Sequence, residues 1–128
     1  MIRKTHVLWL QARQSDFENG TREFFAREHT LRSIDATDVF TDLFTASIQP
    51  SFICCAFEYL LLGELSLIGE LRRPYPHLPL ILITKNPSTD LAIWALRVGV
   101  HDILCTPVTA QMADNCSRSA LKARGIDE

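Results

Sequence analysis

The chain has 128 residues, 47% of them hydrophobic and 22% charged, with a formal net charge of -2. That is the length and composition of one globular domain with a real core. The balance excludes a phosphate-coating basic surface, so no direct nucleic-acid binding is expected, and no apolar run approaches the roughly 20 residues a membrane span needs. The opening Met-Ile-Arg-Lys-Thr-His lacks the apolar stretch of a signal peptide, and a cytoplasmic location is the expectation.

Short apolar runs alternate with helical patterns along the chain. His6-Val7-Leu8-Trp9-Leu10 reads as a buried first strand, with Trp9 in the core. Ser15 and Glu18 have capping-box spacing ahead of a helix carrying Phe17, Thr21, Phe24 and Phe25. Thr30 to Ile34 alternates and reads as a second, more exposed strand. Asp38 opens a short helix through Val39, Leu43 and Phe44.

Ser51 to Phe57 is apolar on both faces, as a central parallel strand must be when helices cover it twice. Gly63 and Glu64 open a helix with Leu65, Ile68 and Leu71, ended by Pro74 and Pro76. Leu78 to Thr84 is the fourth strand. Ser88 or Thr89 caps a fourth helix with Leu91, Ala92, Ala95 and Val98 inward, stopped near Gly99. Val100 to Cys105 holds the fifth strand, followed by Thr106-Pro107. Thr109 starts a fifth helix with Met112, Cys116 and Ala120 on one stripe.

Five strands alternating with five helices predict an α/β doubly wound, three-layer sandwich around an open parallel sheet, here a single domain over residues 1–128. In such sheets the functional crevice lies at the C-terminal strand ends. Those ends carry Gln11 and Ala12, Ala56 to Tyr59, Thr84 to Asn86, and Thr106.

The cysteines, Cys54, Cys55, Cys105 and Cys116, include no CxxC pair and read as buried free thiols. Cys54 and Cys55 should point to opposite faces of their strand. His6, His29, His77 and His101 fall at strand edges or in loops and read as solvated surface residues. With no G-x-S-x-G and no placed acid–base partner, no enzyme activity, metal or cofactor is expected.

At this point the chain resembles the receiver domain of two-component response regulators. Three stretches carry the resemblance. Ser51-Phe52-Ile53-Cys54-Cys55-Ala56 through Arg72 fits the strand–loop–helix that presents the phosphoacceptor. Leu78 to Thr84 fits the fourth strand, which ends in Thr or Ser. Ala95 to Pro107 fits the pattern Ala-x-x-x-Gly-Ala-x-Asp-Tyr-Leu-x-Lys-Pro. The resemblance implies a flavodoxin-like fold with strand order 2-1-3-4-5.

The departures from that pattern define a degenerate phosphorylation pocket, a pseudo-receiver. The magnesium-binding acidic pair falls on Gln11 and Ala12, the phosphoacceptor aspartate on Ala56, and the lysine before Pro107 on Thr106. Thr84 keeps its expected type, and the switch aromatic falls on Ile103. Alanine has no nucleophile, Gln11 and Ala12 provide a poor cage for a hard cation, and threonine cannot neutralise phosphoryl charge as lysine does. Glu58, two positions beyond Ala56, reads either as an exposed loop glutamate or as a fixed negative charge that stands in for a phosphoryl group.

The resemblance therefore implies a phosphorylation-independent signalling domain acting by protein–protein contact. The partner is another protein or a second copy, docked on the face formed by the fourth helix, fifth strand and fifth helix. On that face lie Asp90, Ile93, Trp94, Arg97 and His101. Tryptophan and arginine are types enriched at interface hot spots, although Trp94 could instead seal a core edge. The chain then serves as the N-terminal regulatory module of a longer protein such as a transcription regulator. The alternative is a sensor for a small, nucleotide-like ligand in the altered crevice, with Arg13 near the helix start attracting an anion.

Overall fold

The computed structural model describes residues 5–12, 17–35, 49–73, 75–85 and 87–125. Its strands are β1 (Thr5–Gln11), β2 (His29–Asp35), β3 (Phe52–Ala56), β4 (Leu80–Thr84) and β5 (Asp102–Cys105). Its helices are α1 (Asn19–Glu28), α2 (Leu62–Arg72), α3 (Thr89–Arg97) and α4 (Ala110–Ala123). The helices counted fourth and fifth from the sequence are thus α3 and α4. The short helix expected from Asp38 through Val39, Leu43 and Phe44 lies outside the described residues, as do Arg13, Ser15, Pro74 and Asn86.

All strand pairs are parallel and the order is β2-β1-β3-β4-β5. The central strands β3 and β4 are buried at every position, because each is covered on both faces. Side chains alternate across the sheet and divide the core in two. On one face Val7, Trp9, Phe52, Cys54, Ala56, Ile81 and Ile83 pack against Phe25 of α1 and against Ala113, Cys116, Ala120 and Leu121 of α4. On the other, Leu8, Leu10, Ile53, Cys55, Leu80 and Leu82 pack against Ile68 and Leu71 of α2 and Ala95 of α3. Cys54 and Cys55 do face opposite sides.

The helix ends follow local chemistry. Ser88 caps α3, its hydroxyl accepting from the Leu91 N–H at 3.2 Å, and Thr109 caps α4 by accepting from the Met112 N–H at 3.1 Å. Gly99 ends α3 with φ +91, a backbone conformation that side-chain-bearing residues rarely adopt. At the start of α1 the expected capping box is corrected. Glu18 is itself the N-cap, in the left-handed region with φ 59 and no side-chain cap bond, and its carboxylate accepts from the Thr21 hydroxyl instead.

Two further expectations are corrected. Cys105 is exposed, since it sits at the end of edge strand β5 and only its β4 side is covered. His29 is buried, because β2 begins immediately after α1 and turns the imidazole edge-on to the Phe52 ring at 5.4 Å. Among the described residues, no helix is long and apolar enough to cross a membrane.

Candidate functional site

The parallel register brings the strand ends together. Gln11 lies beside Ala56, Ala56 beside Ile83, and Thr84 beside Cys105, so Gln11, Ala56, Thr84 and Thr106 share one edge of the sheet. Ala12 follows Gln11 and is exposed.

The chemistry of this edge is inward-directed. Ala56 is 1% exposed and belongs to the apolar cluster with Trp9, Ile83, Leu104 and Val108. Gln11 follows Trp9 by two residues and shares its strand face. The buried Trp9 indole N–H donates to the Gln11 Oε1 at 3.1 Å. A buried indole requires such a partner, so the Gln11 amide oxygen is committed within the chain.

Thr84, 1% exposed, is tied in the same way. Its hydroxyl donates to the Glu58 carbonyl at 3.2 Å, and the Lys85 backbone N–H donates to the same carbonyl at 3.2 Å. Glu58 is thus held through its backbone, while the residue as a whole is exposed. The Thr106 N–H donates to the Thr84 carbonyl at 3.1 Å, and the Thr106–Pro107 peptide is cis. Ile103 is half-buried against the second core. Among the described residues, no group of three or more His, Cys, Asp or Glu side chains is placed to hold a metal ion. The sequence reading missed Asp35, the last residue of β2, which the register sets beside Gln11. Only strand pairing brings it there.

The thiols below this edge are electrostatically quiet. Burial raises the pKa of Cys54, with Cys116 and Cys55 adding to the effect, and burial likewise raises that of Cys55. Cys116 is raised by burial first, then by the charge of Asp102 and a hydrogen bond to it. Such thiols stay protonated and are poor nucleophiles.

The second candidate region is the outer face of α3. Ala95 is buried and Leu91, Ala92 and Val98 are half-buried on its inner side. Trp94 is half-buried and packs against the core behind α3. Asp90 and Arg97 are exposed, as are Ile93 at 43% and Leu96 at 61%. His101 is half-buried, and its Nε2 lies 3.0 Å from the Ser119 hydroxyl of α4. The sequence reading named Trp94 and missed Leu96. The signal was the helical spacing of three residues from Ile93 to Leu96. Beyond the far end of α3, the Arg72 guanidinium donates to the Pro76 and Leu78 carbonyls and lies 3.4 Å from where a Cβ on Gly99 would stand. Burial lowers the Arg72 pKa.

No protein-family model matches the chain. The response regulator protein FleR of Pseudomonas aeruginosa is 41% identical over 56 residues, a match spanning 43% of this chain and 12% of FleR. A response regulator receiver domain protein from Clostridium thermocellum superposes with a TM-score of 0.79 at 17% identity, covering 94% of this chain and 97% of that one. The signal receiver domain of an HD domain-containing protein from Pseudomonas fluorescens gives 0.77 at 23% identity, covering 96% and 98%. NtrX from Brucella abortus, crystallised with ADP, gives 0.79 at 20% identity, covering 96% of this chain but 27% of NtrX. The five parallel strands, their 2-1-3-4-5 order and the helices on both faces are therefore those of the response regulator receiver fold.

Proposed function

We propose that this chain is a pseudo-receiver, a signalling domain that works by protein contact and not by accepting a phosphoryl group. The observation that carries the reading is Ala56: the position expected to bear the phosphoacceptor carboxylate is a methyl group sealed in an apolar cluster. Its neighbours support it. The Gln11 amide oxygen accepts from Trp9 and the Thr84 hydroxyl donates to the Glu58 carbonyl, so using that oxygen on a cation or that hydroxyl on a phosphoryl group breaks an internal bond. Breaking a buried bond without a replacement costs about 1–3 kcal/mol.

On this reading the domain is not an enzyme and binds no cofactor, and its output, such as control of transcription, is exerted through a protein docked on the face formed by α3, β5 and α4. FleR and NtrX, of which this chain matches only a part, are response regulators or share the receiver fold, and they support a role within two-component signalling. The test is incubation with acetyl phosphate and magnesium followed by intact mass measurement. No phosphoryl adduct is expected, and a stoichiometric adduct on a native-sequence residue at the strand ends would overturn the reading.

A further inference from the structure

We infer that α2 pairs antiparallel with α2 of a second copy of the chain, about a two-fold axis between Ser66 and Gly69, through a surface separate from the face on α3, β5 and α4. The inference rests on the reading that the domain works by contact, and adds a second surface, its occupant and its orientation. Packing within the chain leaves the start of α2 unexplained. Tyr59, Leu61 and Leu62 are exposed in the turn and at the helix start, Leu62 at 83%. Leu61 is the N-cap and makes no side-chain cap bond. Among the described residues, the other exposed large apolar side chains are Ile93 and Leu96, on α3. Gly69 is equally unexplained, since glycine inside a helix is less favourable than alanine. Its φ is not positive, and a Cβ there would meet nothing within 4 Å outside the helix's own backbone. The chain itself makes no use of the missing side chain.

The order of side chains along the helix decides the occupant. Leu62, Ser66, Gly69 and Arg73 follow one another by four, three and four residues, which at 100° per residue keeps them within about 60° of the helix circumference. Arg73, the C-cap, is still in the helical conformation. Leu62, Ser66 and Arg73 are exposed and Gly69 is half-buried, while Ile68 and Leu71 on the opposite side are buried. The stripe thus reads apolar, small, small, basic, and Glu58 stands just ahead of its apolar end. A half-turn about an axis between Ser66 and Gly69 exchanges those two positions and sets Leu62 of each copy against Arg73 of the other. Small residues then lie where the helices cross, so the backbones can approach closely. The aliphatic stem of Arg73 covers Leu62, and its guanidinium meets the end that carries Tyr59 and Glu58. Among the described residues neither Glu58 nor Arg73 has an ion pair within the chain. A surface complementary to itself in shape and charge is what an isologous contact requires. A parallel pairing would instead set Arg73 on Arg73.

The experiment is sedimentation of the 128-residue chain over a concentration series up to about 1 mM, since one helix pair makes a small contact and a weak dimer. The native chain should show a monomer–dimer equilibrium. Gly69→Leu fills the crossing point and should weaken self-association roughly tenfold or more. Its melting temperature should not fall, because the new Cβ enters open space and leucine is the better helix former. Glu58→Arg and Arg73→Glu should each weaken association, and their equimolar mixture restores both opposite-charge contacts and should associate close to the native constant. That rescue is also the folding control, since a misfolded variant cannot supply it. A native dimer that a folded Gly69→Leu variant leaves unchanged, or a charge mixture that fails to recover, would overturn the α2 pairing and assign the dimer to another face. A native chain that stays monomeric throughout the series would overturn it as well. Neither outcome bears on phosphoryl uptake, so the pseudo-receiver reading stands or falls separately on the mass measurement.

Discussion

The edge of the sheet and the outer face of α3 treat polar groups in opposite ways. At the edge, Gln11 and Thr84 are each joined to a partner within the chain, and Ala56 fills the position between them without any polar atom. On α3, charged Asp90 and Arg97 and apolar Ile93 and Leu96 are left to solvent. On the proposed reading, the contrast places recognition on α3. A buried polar group that already has its partner gains nothing from a ligand, whereas exposed apolar surface beside uncommitted charge gains from being covered.

Alkaline pH should produce the largest effect, through three buried thiols of the two cores beneath the edge. Cys54, Cys55 and Cys116 have raised folded-state pKa values, so the folded chain keeps these protons when the unfolded chain loses them. Their contribution is complete below about pH 8.5, the unfolded thiol value, and is lost as pH rises above it. Each thiol should remove about 1.4 kcal/mol of stability per pH unit in that window. Urea unfolding at successive pH values should show the decline, and Cys54→Ala should flatten it by one thiol's share. An unchanged slope would place the loss elsewhere.

Placing a carboxylate at position 56 comes next in size. Ala56→Asp inserts a charge into an apolar cluster and should destabilise the domain by about 3 kcal/mol at neutral pH, with less loss at acid pH where the carboxyl is protonated. It should not restore phosphorylation, because Gln11, Ala12 and Thr106 are unchanged. A variant as stable as the native chain, or one that takes up phosphate, would show that the edge is more open than its packing implies.

The third comparison divides α3 against itself. Trp94→Ala removes a ring packed on the core and should cost about 2 kcal/mol, less than a fully buried tryptophan would. Leu96→Ser should change stability by no more than about 0.5 kcal/mol while weakening any contact made through the outer face. Thermal melts and sedimentation on the two variants separate packing from recognition. Equal stability losses would merge the two roles.

Much of the framework was legible in the amino-acid sequence. Short runs with apolar residues on both faces, set between helical patterns, read as central parallel strands, so β3 and β4 were visible in Ser51 to Phe57 and Leu78 to Thr84. Ser88, Gly99 and Thr109 marked helix ends because capping is a local hydrogen-bonding problem. The positions at the strand ends were legible too, since parallel order and strand direction place Gln11, Ala56, Thr84 and Thr106 on one edge.

Side-chain commitment was not legible in the same way. That Trp9 engages Gln11, that Thr84 holds the Glu58 carbonyl, and that Asp35 stands beside Gln11 are settled by register and by which buried donor lacks another partner. His29 read as a surface residue until its strand laid it on Phe52, and Cys105 read as buried until β5 proved to be an edge. Sequence by itself determined the order of the strands along the chain, the caps at Ser88 and Thr109, the inner side of α3 and the absence of a carboxylate at position 56, because these depend on residue type and near neighbours. The tertiary structure alone decided which polar groups are satisfied, that His29 is buried and that Cys105 is exposed, because burial depends on segments far apart in the chain.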